Sequence, residues 1–311
     1  MLNRRSFLAL PLGFAAANAF AQSGTTGWAF QYPMGLPDRI PGDGCYVLHG
    51  YAVENAEFFP GLWHTGENWY VLGADAAGAE VYACADGEVV FAGFDYPGPV
   101  VIIKHAEDLY SQYGHLNYEL NVEVGQMVNR GDVLGTILPR EAPRSHLHFE
   151  LRNFYINPEV NGDTPRYAWN CGVNCPPGPG YWPMDAPEHP SAMGWRNPLH
   201  VITHRMGIPE GAEVMVPPES WNRLFLFDDP SSTIHTDSLI VPGGTRMPLL
   251  AATAGDEASM TFGAAATSIW YQVQVPGVDG ARWVPAISPT MHAIQSDGQT
   301  TSFVFNLIPV V

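Results

Sequence analysis

Between Cys45 and about Arg152 short apolar runs alternate with turns rich in Gly, Pro, Asp and Asn, and no ten-residue stretch carries apolar residues at helical spacing. The segment EVYACADGEVVFAGF (80–94) is two apolar-rich runs hinged at Asp86-Gly87, the pattern of a β-hairpin. PVVIIKH (99–105) is apolar enough for a fully buried strand. VEVGQMVNRGDVLGTIL (122–138) carries a second hinge at Asn129-Arg130-Gly131-Asp132 before a further strand. Together these runs predict a mainly β, antiparallel core of the barrel-sandwich kind.

The pattern changes at residue 153. Residues 153–194 are rich in Pro, Gly and Trp and read as a long inserted loop, after which GWRNPLHVI (194–202) returns the chain to the first domain. From about Gly207 short strands resume in RLFLFDD, SLIVPGGTRMPLL, IWYQVQVPG and ARWVPAI, which predicts a small C-terminal β-barrel. The expected organisation is therefore a leader over 22–44 that wraps the first domain, a domain over 45–205 with a 153–194 insertion, and a β domain over 206–311.

Residues 1–21 read as an export signal. Arg4 and Arg5 precede Phe7, Leu8 and an apolar run that ends in Ala19-Phe20-Ala21, which resembles a twin-arginine signal cleaved near Gln22. No later run is long and apolar enough to span a bilayer, so the expected location is the periplasm or the exterior. With 31 acidic and 14 basic residues the chain carries a formal charge of −17, which disfavours nucleic acid and anionic surfaces as charge-driven partners. An even count of four cysteines in an exported chain favours disulfides. The closeness of Cys171 and Cys175 suggests that they pair, leaving Cys45 with Cys84; a zinc site on Cys171 and Cys175 is the competing idea.

The chemistry concentrates in RSHLHFELR (144–152). On a strand, residues two apart share a face, so His146 and His148 point one way while Leu147 and Phe149 pack on the other. Two imidazoles facing one point suit a metal, or a metal and a reacting group. Matching chemistry occurs in FPGLWHTGENW (59–69), with His64 and Asn68, and in YSQYGHLN (110–117), with His115. Hydrolytic zinc sites take three protein ligands and keep one position for water, and further histidines handle protons or the oxyanion.

The segments HTGEN, VYACADGEVVFAG, YGHL, VEVGQMVNRGDVLG and HLHFELR, in that order, resemble the lysostaphin-type (LytM-like) zinc endopeptidases, which cut peptide cross-bridges of bacterial peptidoglycan. The resemblance covers residues 45–152 and reaches towards 205 through WRNPLHVI. It implies Zn2+ as cofactor, His64 and His148 as ligands, His115 and His146 as an unligated catalytic pair, and peptidoglycan peptides as substrate. Where it implies a ligating aspartate this chain has Asn68, an amide dipole in place of a carboxylate charge. Adjacent Glu67 would face the other side of its strand, and Asp75 would arrive only if the loop folded back. His49, His105, His189, His200 and His204 read as surface or structural residues. A second function stays open, that of a non-catalytic relative that binds the wall or regulates a partner hydrolase. WYQVQVPGVDGARWVPAI (270–287) resembles a bacterial SH3-like domain, which would hold the protein on wall peptides. The 153–194 insertion, which follows the His-x-His strand directly, is expected to line one wall of the site.

Overall fold

The computed structural model describes residues 29–35, 40–55, 59–93, 98–141, 144–167, 180–218, 223–232, 234–255, 269–289 and 302–310. The expected export signal and the Cys171/Cys175 pair lie outside the described residues. In chain order the first elements are β1 (Cys45–Leu48), β2 (Glu54–Asn55), β3 (Phe59–His64), β4 (Glu67–Val71), β5 (Glu80–Tyr82), β6 (Gly87–Gly93), β7 (Val100–Ala106), β8 (Leu109–Gly114), β9 (Met127–Val128), β10 (Val133–Thr136) and β11 (Leu147–Arg152). After the insertion come β12 (Tyr181–Pro183), the short helix α1 (Pro190–Met193), β13 (Trp195–Arg196) and α2 (Pro198–Arg205). The last part holds β14 (Glu213–Met215), β15 (Arg223–Leu226), β16 (Asp237–Ile240), β17 (Arg246–Ala254), β18 (Ile269–Val273), β19 (Arg282–Pro285), β20 (Ile287–Pro289), β21 (Ser302–Phe305) and β22 (Ile308–Val310).

The mainly β expectation holds. A ten-stranded antiparallel sheet runs β20-β21-β1-β4-β11-β8-β7-β6-β9, with β13 alongside β11. Strand β11 shows why the chain folds here. Its apolar positions Leu147, Phe149 and Leu151 are fully buried in the main core with Trp69, Val101, Ile103 and Tyr113. Its other face carries His148, Glu150 and Arg152, which are buried as well. That face is roofed by the small sheet β12-β3-β2 and an aromatic cluster of Tyr51, Phe154, Trp182 and Trp195. Both faces of one strand are thus dry, one filled with hydrocarbon and one with paired polar groups.

The expected hairpin at Asp86-Gly87 does not form. Strands β5 and β6 belong to different sheets: β5 pairs with β10, and β6 pairs with β7 and β9. The two hinges of the sequence make one corner, where Ala83 and Gly131–Asp132 exchange backbone hydrogen bonds and Arg130 N–H donates to Asp86 Oδ1 at 2.7 Å. Turn residues mark where a chain bends, but two strands pair only where the bend reverses the chain within one sheet.

The described residues before β1 pack against the sheets. Phe30, Tyr32 and Met34 are buried in the main core, and Met34 bridges Val81 of β5. Helix α2, not foreseen from periodicity, begins at Asn197, whose Oδ1 accepts the His200 N–H, with Pro198 at the first helical position. Eight residues are too few for an apolar stripe to be read, whereas the Asn-Pro start was legible. Strands β19-β18-β17-β14-β22 form a second antiparallel sheet, while β21 joins the large sheet beside β1. Strands from 206–311 and from 45–205 therefore share one sheet, and Tyr271 meets Tyr32 through their hydroxyls at 3.0 Å.

Cys45 and Cys84, expected to pair, are free buried thiols. Cys45 opens β1 in the large sheet, whereas Cys84 follows β5 at the corner, where its N–H donates to the Tyr113 hydroxyl at 2.8 Å. Its Sγ lies 3.7 Å from His105 Nε2. The Asp86 carbonyl only accepts, so His105 Nδ1 carries the proton at 2.8 Å, and Nε2 lies 2.7 Å from the Ser111 hydroxyl. Burial drives the His105 pKa down to about 4, against the pull of the Asp86 carbonyl. A folded pKa below the unfolded value of 6.5 means stability present above pH 6.5 and lost as pH falls towards 4. Comparing urea midpoints over that range for the wild type and His105→Asn should show a shallower acid limb in the variant; equal slopes would mean that His105 titrates normally.

Candidate metal centre

Register assembles the site. On the large sheet Asn68 of β4 sits directly across from His148 of β11, and His148 in turn sits across from Gly114 of β8. His115 follows Gly114 in the left-handed region, φ 64°, a conformation that a non-glycine residue adopts at some strain. His64 ends β3 on the roofing sheet and turns through Thr65-Gly66 into β4. Gly66 permits that turn, because a Cβ there would lie 2.3 Å from the Phe149 carbonyl oxygen. His64, Asn68, His115, His146 and His148 are all buried.

The hydrogen-bond partners of each ring assign its proton. His64 Nδ1 faces the Gly50 carbonyl at 3.1 Å, and His148 Nε2 faces Glu150 Oε1 at 3.0 Å. Both partners accept, so these two nitrogens donate, and in the neutral form of each ring the opposite nitrogen carries a lone pair. Those lone pairs meet: His64 Nε2 and His148 Nδ1 are 3.0 Å apart, and Asn68 Oδ1 is 3.2 Å from His148 Nδ1. With both rings neutral, His148 Nδ1 therefore faces two acceptors, His64 Nε2 and Asn68 Oδ1, and a cation among them would relieve the repulsion. Burial, with neighbouring His148 and His49, holds the His64 pKa well below the usual imidazole value, against the pull of the Gly50 carbonyl.

A zinc ion fits this donor set. Two nitrogens about 2.0–2.1 Å from one tetrahedral ion lie roughly 3.3 Å apart, close to the 3.0 Å found. Among the described residues no three side chains from His, Cys, Asp and Glu gather at one point. The third polar atom beside the two nitrogens is the amide oxygen of Asn68, so a cation placed among them would meet no carboxylate.

His146 and His115 stand beside this group. Their ring centroids are 4.7 Å apart, and His115 is 6.0 Å from His148. His146 Nδ1 donates to the Arg144 carbonyl at 2.7 Å, and its ring stacks on Tyr70 at 5.0 Å and 26°. Burial pushes the His146 pKa down to about 3, the Arg144 carbonyl opposing and the Arg140 charge adding to the shift. The ring is neutral at working pH, with Nε2 able to accept a hydrogen.

The i, i+2 period continues past His148 to Glu150 and Arg152. Glu150 is the orienting group: besides His148 it accepts from Thr65 Oγ1 at 2.7 Å and Trp195 Nε1 at 3.1 Å, and Arg152 lies 3.6 Å away. Burial alone would raise its pKa, but the His148 bond, the Arg152 charge and Thr65 outweigh it and keep the carboxylate ionised. An ionised carboxylate behind a ligating histidine fixes its tautomer and makes the ring a stronger donor.

His49, read from the sequence as surface or structural, is buried, with φ 57°; its carbonyl accepts the Asn68 N–H at 3.1 Å, its Nδ1 has no hydrogen-bond partner among the described residues, and burial lowers its pKa to about 4. Glu67 does face away, accepting from Trp69 Nε1 and from Leu199 N–H at the start of α2. Asp75 accepts the Ala77 N–H in its own turn and supplies no donor to the site. The described end of the insertion does border the site: β12 pairs with β3, with Tyr181 opposite His64 and its ring 5.2 Å from the imidazole.

The profile of peptidase family M23 matches residues 67–162, a span that holds Asn68, His115, His146 and His148. Over those residues the chain is similar to peptidase family M23. The cell division protein DipM of Caulobacter vibrioides is 38% identical over 78 residues, 24% of this chain and 13% of that one. The murein hydrolase activator NlpD of Escherichia coli is 38% identical over 94 residues, 29% of this chain and 24% of that one. A zinc-containing peptidase from Vibrio cholerae aligns with 26% identity and a TM-score of 0.32, over 40% of this chain and 37% of that one. In DipM and NlpD the match spans less than a quarter of the whole protein. The M23 profile starts three residues after His64, so the first imidazole of the site stands outside the matched span. Among the described residues no helix is long and apolar enough to cross a membrane.

Proposed function

We propose that this protein is a zinc-dependent endopeptidase of the bacterial cell wall, exported to the periplasm or beyond and acting on peptidoglycan peptides. The observation that carries the reading is the meeting of the His64, Asn68 and His148 acceptors, backed by an ionised Glu150, beside two further imidazoles. Zinc held there would polarise a peptide carbonyl and acidify water. The remaining work falls to the chain. Neutral His146 orients the attacking water by accepting its hydrogen at Nε2 and carries the proton towards the leaving amine; His115, edge-on to it, stabilises charge on the former carbonyl oxygen. Tyr181 and the β12 edge form a wall that keeps the peptide over His64. The C-terminal β segment, SH3-like in its Trp-Tyr and Trp-Val pattern, would retain the protein on the polymer.

The neutral amide at Asn68 and the likeness to the protein named murein hydrolase activator NlpD favour a second reading, in which the domain binds and activates a partner hydrolase. The test is zinc content of the purified protein beside release of soluble peptides from purified peptidoglycan. His115→Ala and His146→Ala should keep stoichiometric zinc yet lose release by about 100-fold or more. A zinc-loaded wild type that releases nothing, but stimulates a wall hydrolase added to the assay, would overturn the enzyme in favour of the activator.

A further inference from the structure

Positive charge is scarce in this chain, with 14 basic against 31 acidic residues, yet two arginines stand at His146. Arg144 is exposed, lies over the Tyr70 ring at 5.1 Å from its centroid, and donates to the Tyr46 hydroxyl at 2.7 Å. Tyr70 is sandwiched, stacking on Tyr46 at 5.6 Å and on His146 at 5.0 Å. Tyr70 therefore lies in contact with both the guanidinium and the candidate proton carrier. Arg140 is tied in through its N–H, which donates to Ser145 Oγ at 2.9 Å, and its charge reaches His146 and Tyr70.

Among the described residues neither arginine has a carboxylate within ion-pair distance. Asp75 is the acid that feels Arg144, but its carboxylate is held by Ser145 and the Ala77 N–H. A guanidinium offers five N–H donors in a planar fork matched to a carboxylate, and Tyr46 occupies one position of Arg144. In a protein with an excess of acids, two cations left without acidic partners beside a reactive centre mark a place for an incoming anion. An aromatic face and a hydroxyl hold the Arg144 head group beside His146.

We propose that Arg144 and Arg140 form a carboxylate-binding subsite next to His146, which takes a free carboxylate of the bound peptide. That it is a cell-wall peptide rests on the function proposed above; the charge recognition does not. The experiment is calorimetric titration of the metal-free full chain with soluble peptides prepared from peptidoglycan, in native form and after amidation of their carboxyl groups. Amidation should weaken binding by about tenfold or more, as expected for losing charge-assisted hydrogen bonds. Arg140→Gln with Arg144→Gln should erase the preference, and Arg144→Lys should restore part of it because the charge returns without the fork. Equal affinity for both peptide forms, or binding of neither, overturns the subsite; the comparison on the wild type needs no variant to fold. Because the titration uses metal-free protein, a chain that never cleaves can still show the preference, and one that cleaves without it loses only this inference.

Discussion

Asn68→Asp should tighten zinc binding by about 100-fold or more, because it places a full negative charge where the wild type has a dipole; changes one layer further out already move metal affinity 10–100-fold. Asn68 Oδ1 lies 3.2 Å from His148 Nδ1, directly across the β4–β11 register, so the new carboxylate needs no movement of backbone. His148→Ala, by contrast, should abolish stoichiometric binding, since it removes the nitrogen that both His64 and Asn68 face. Competition with a chromophoric chelator measures both. An unchanged zinc affinity in Asn68→Asp would show that the amide is not a donor and that the cation is held elsewhere.

The second large effect is on folding. Glu150→Ala should destabilise the protein by about 3–5 kcal/mol, the cost of leaving a buried charge without its counterpart. Four groups lose a partner at once: His148, Thr65, Trp195 and the fully buried Arg152. Because the folded Glu150 titrates below the unfolded value of 4.5, its stabilisation is complete above that pH and is lost as pH falls through the lower folded value. Urea denaturation of the metal-free protein should therefore show a loss below about pH 4.5 that Glu150→Gln removes. A Glu150→Ala protein as stable as the wild type would mean that Arg152 finds another partner, and that the carboxylate does not organise the polar face of β11.

Much of the site was legible because strands have a period of two. RSHLHFELR announces its two faces without any structure, and the convergence of His64, Asn68, His115, His146 and His148 followed from segment order through a family resemblance. Glu150 and Arg152 lie on the same period and were overlooked only because carboxylates and arginines are common on exposed faces. Their burial depends on a roof built from residues after 153, and no local pattern reveals that roof. Asp86-Gly87 illustrates the opposite error, since a strong turn signal was taken for a hairpin. Whether a bend reverses the chain within a sheet or carries it to another depends on the partner strands β9 and β10, some 40 residues away.

By itself, the sequence determined the strand-rich character of the chain, the shared side of His146 and His148 at the start of β11 and the replacement of an expected acid by Asn68, because these follow from side-chain alternation and residue chemistry within a few positions. Tertiary structure alone decided that Cys45 and Cys84 stay apart, that Glu150 is ionised in a dry interior, that His49 turns in beside the site and that Arg144 lies on a tyrosine–histidine stack. Each of these depends on which surfaces meet across long stretches of chain. Burial sets the charge state and the hydrogen-bond partner of a group, and burial is a property of the whole fold.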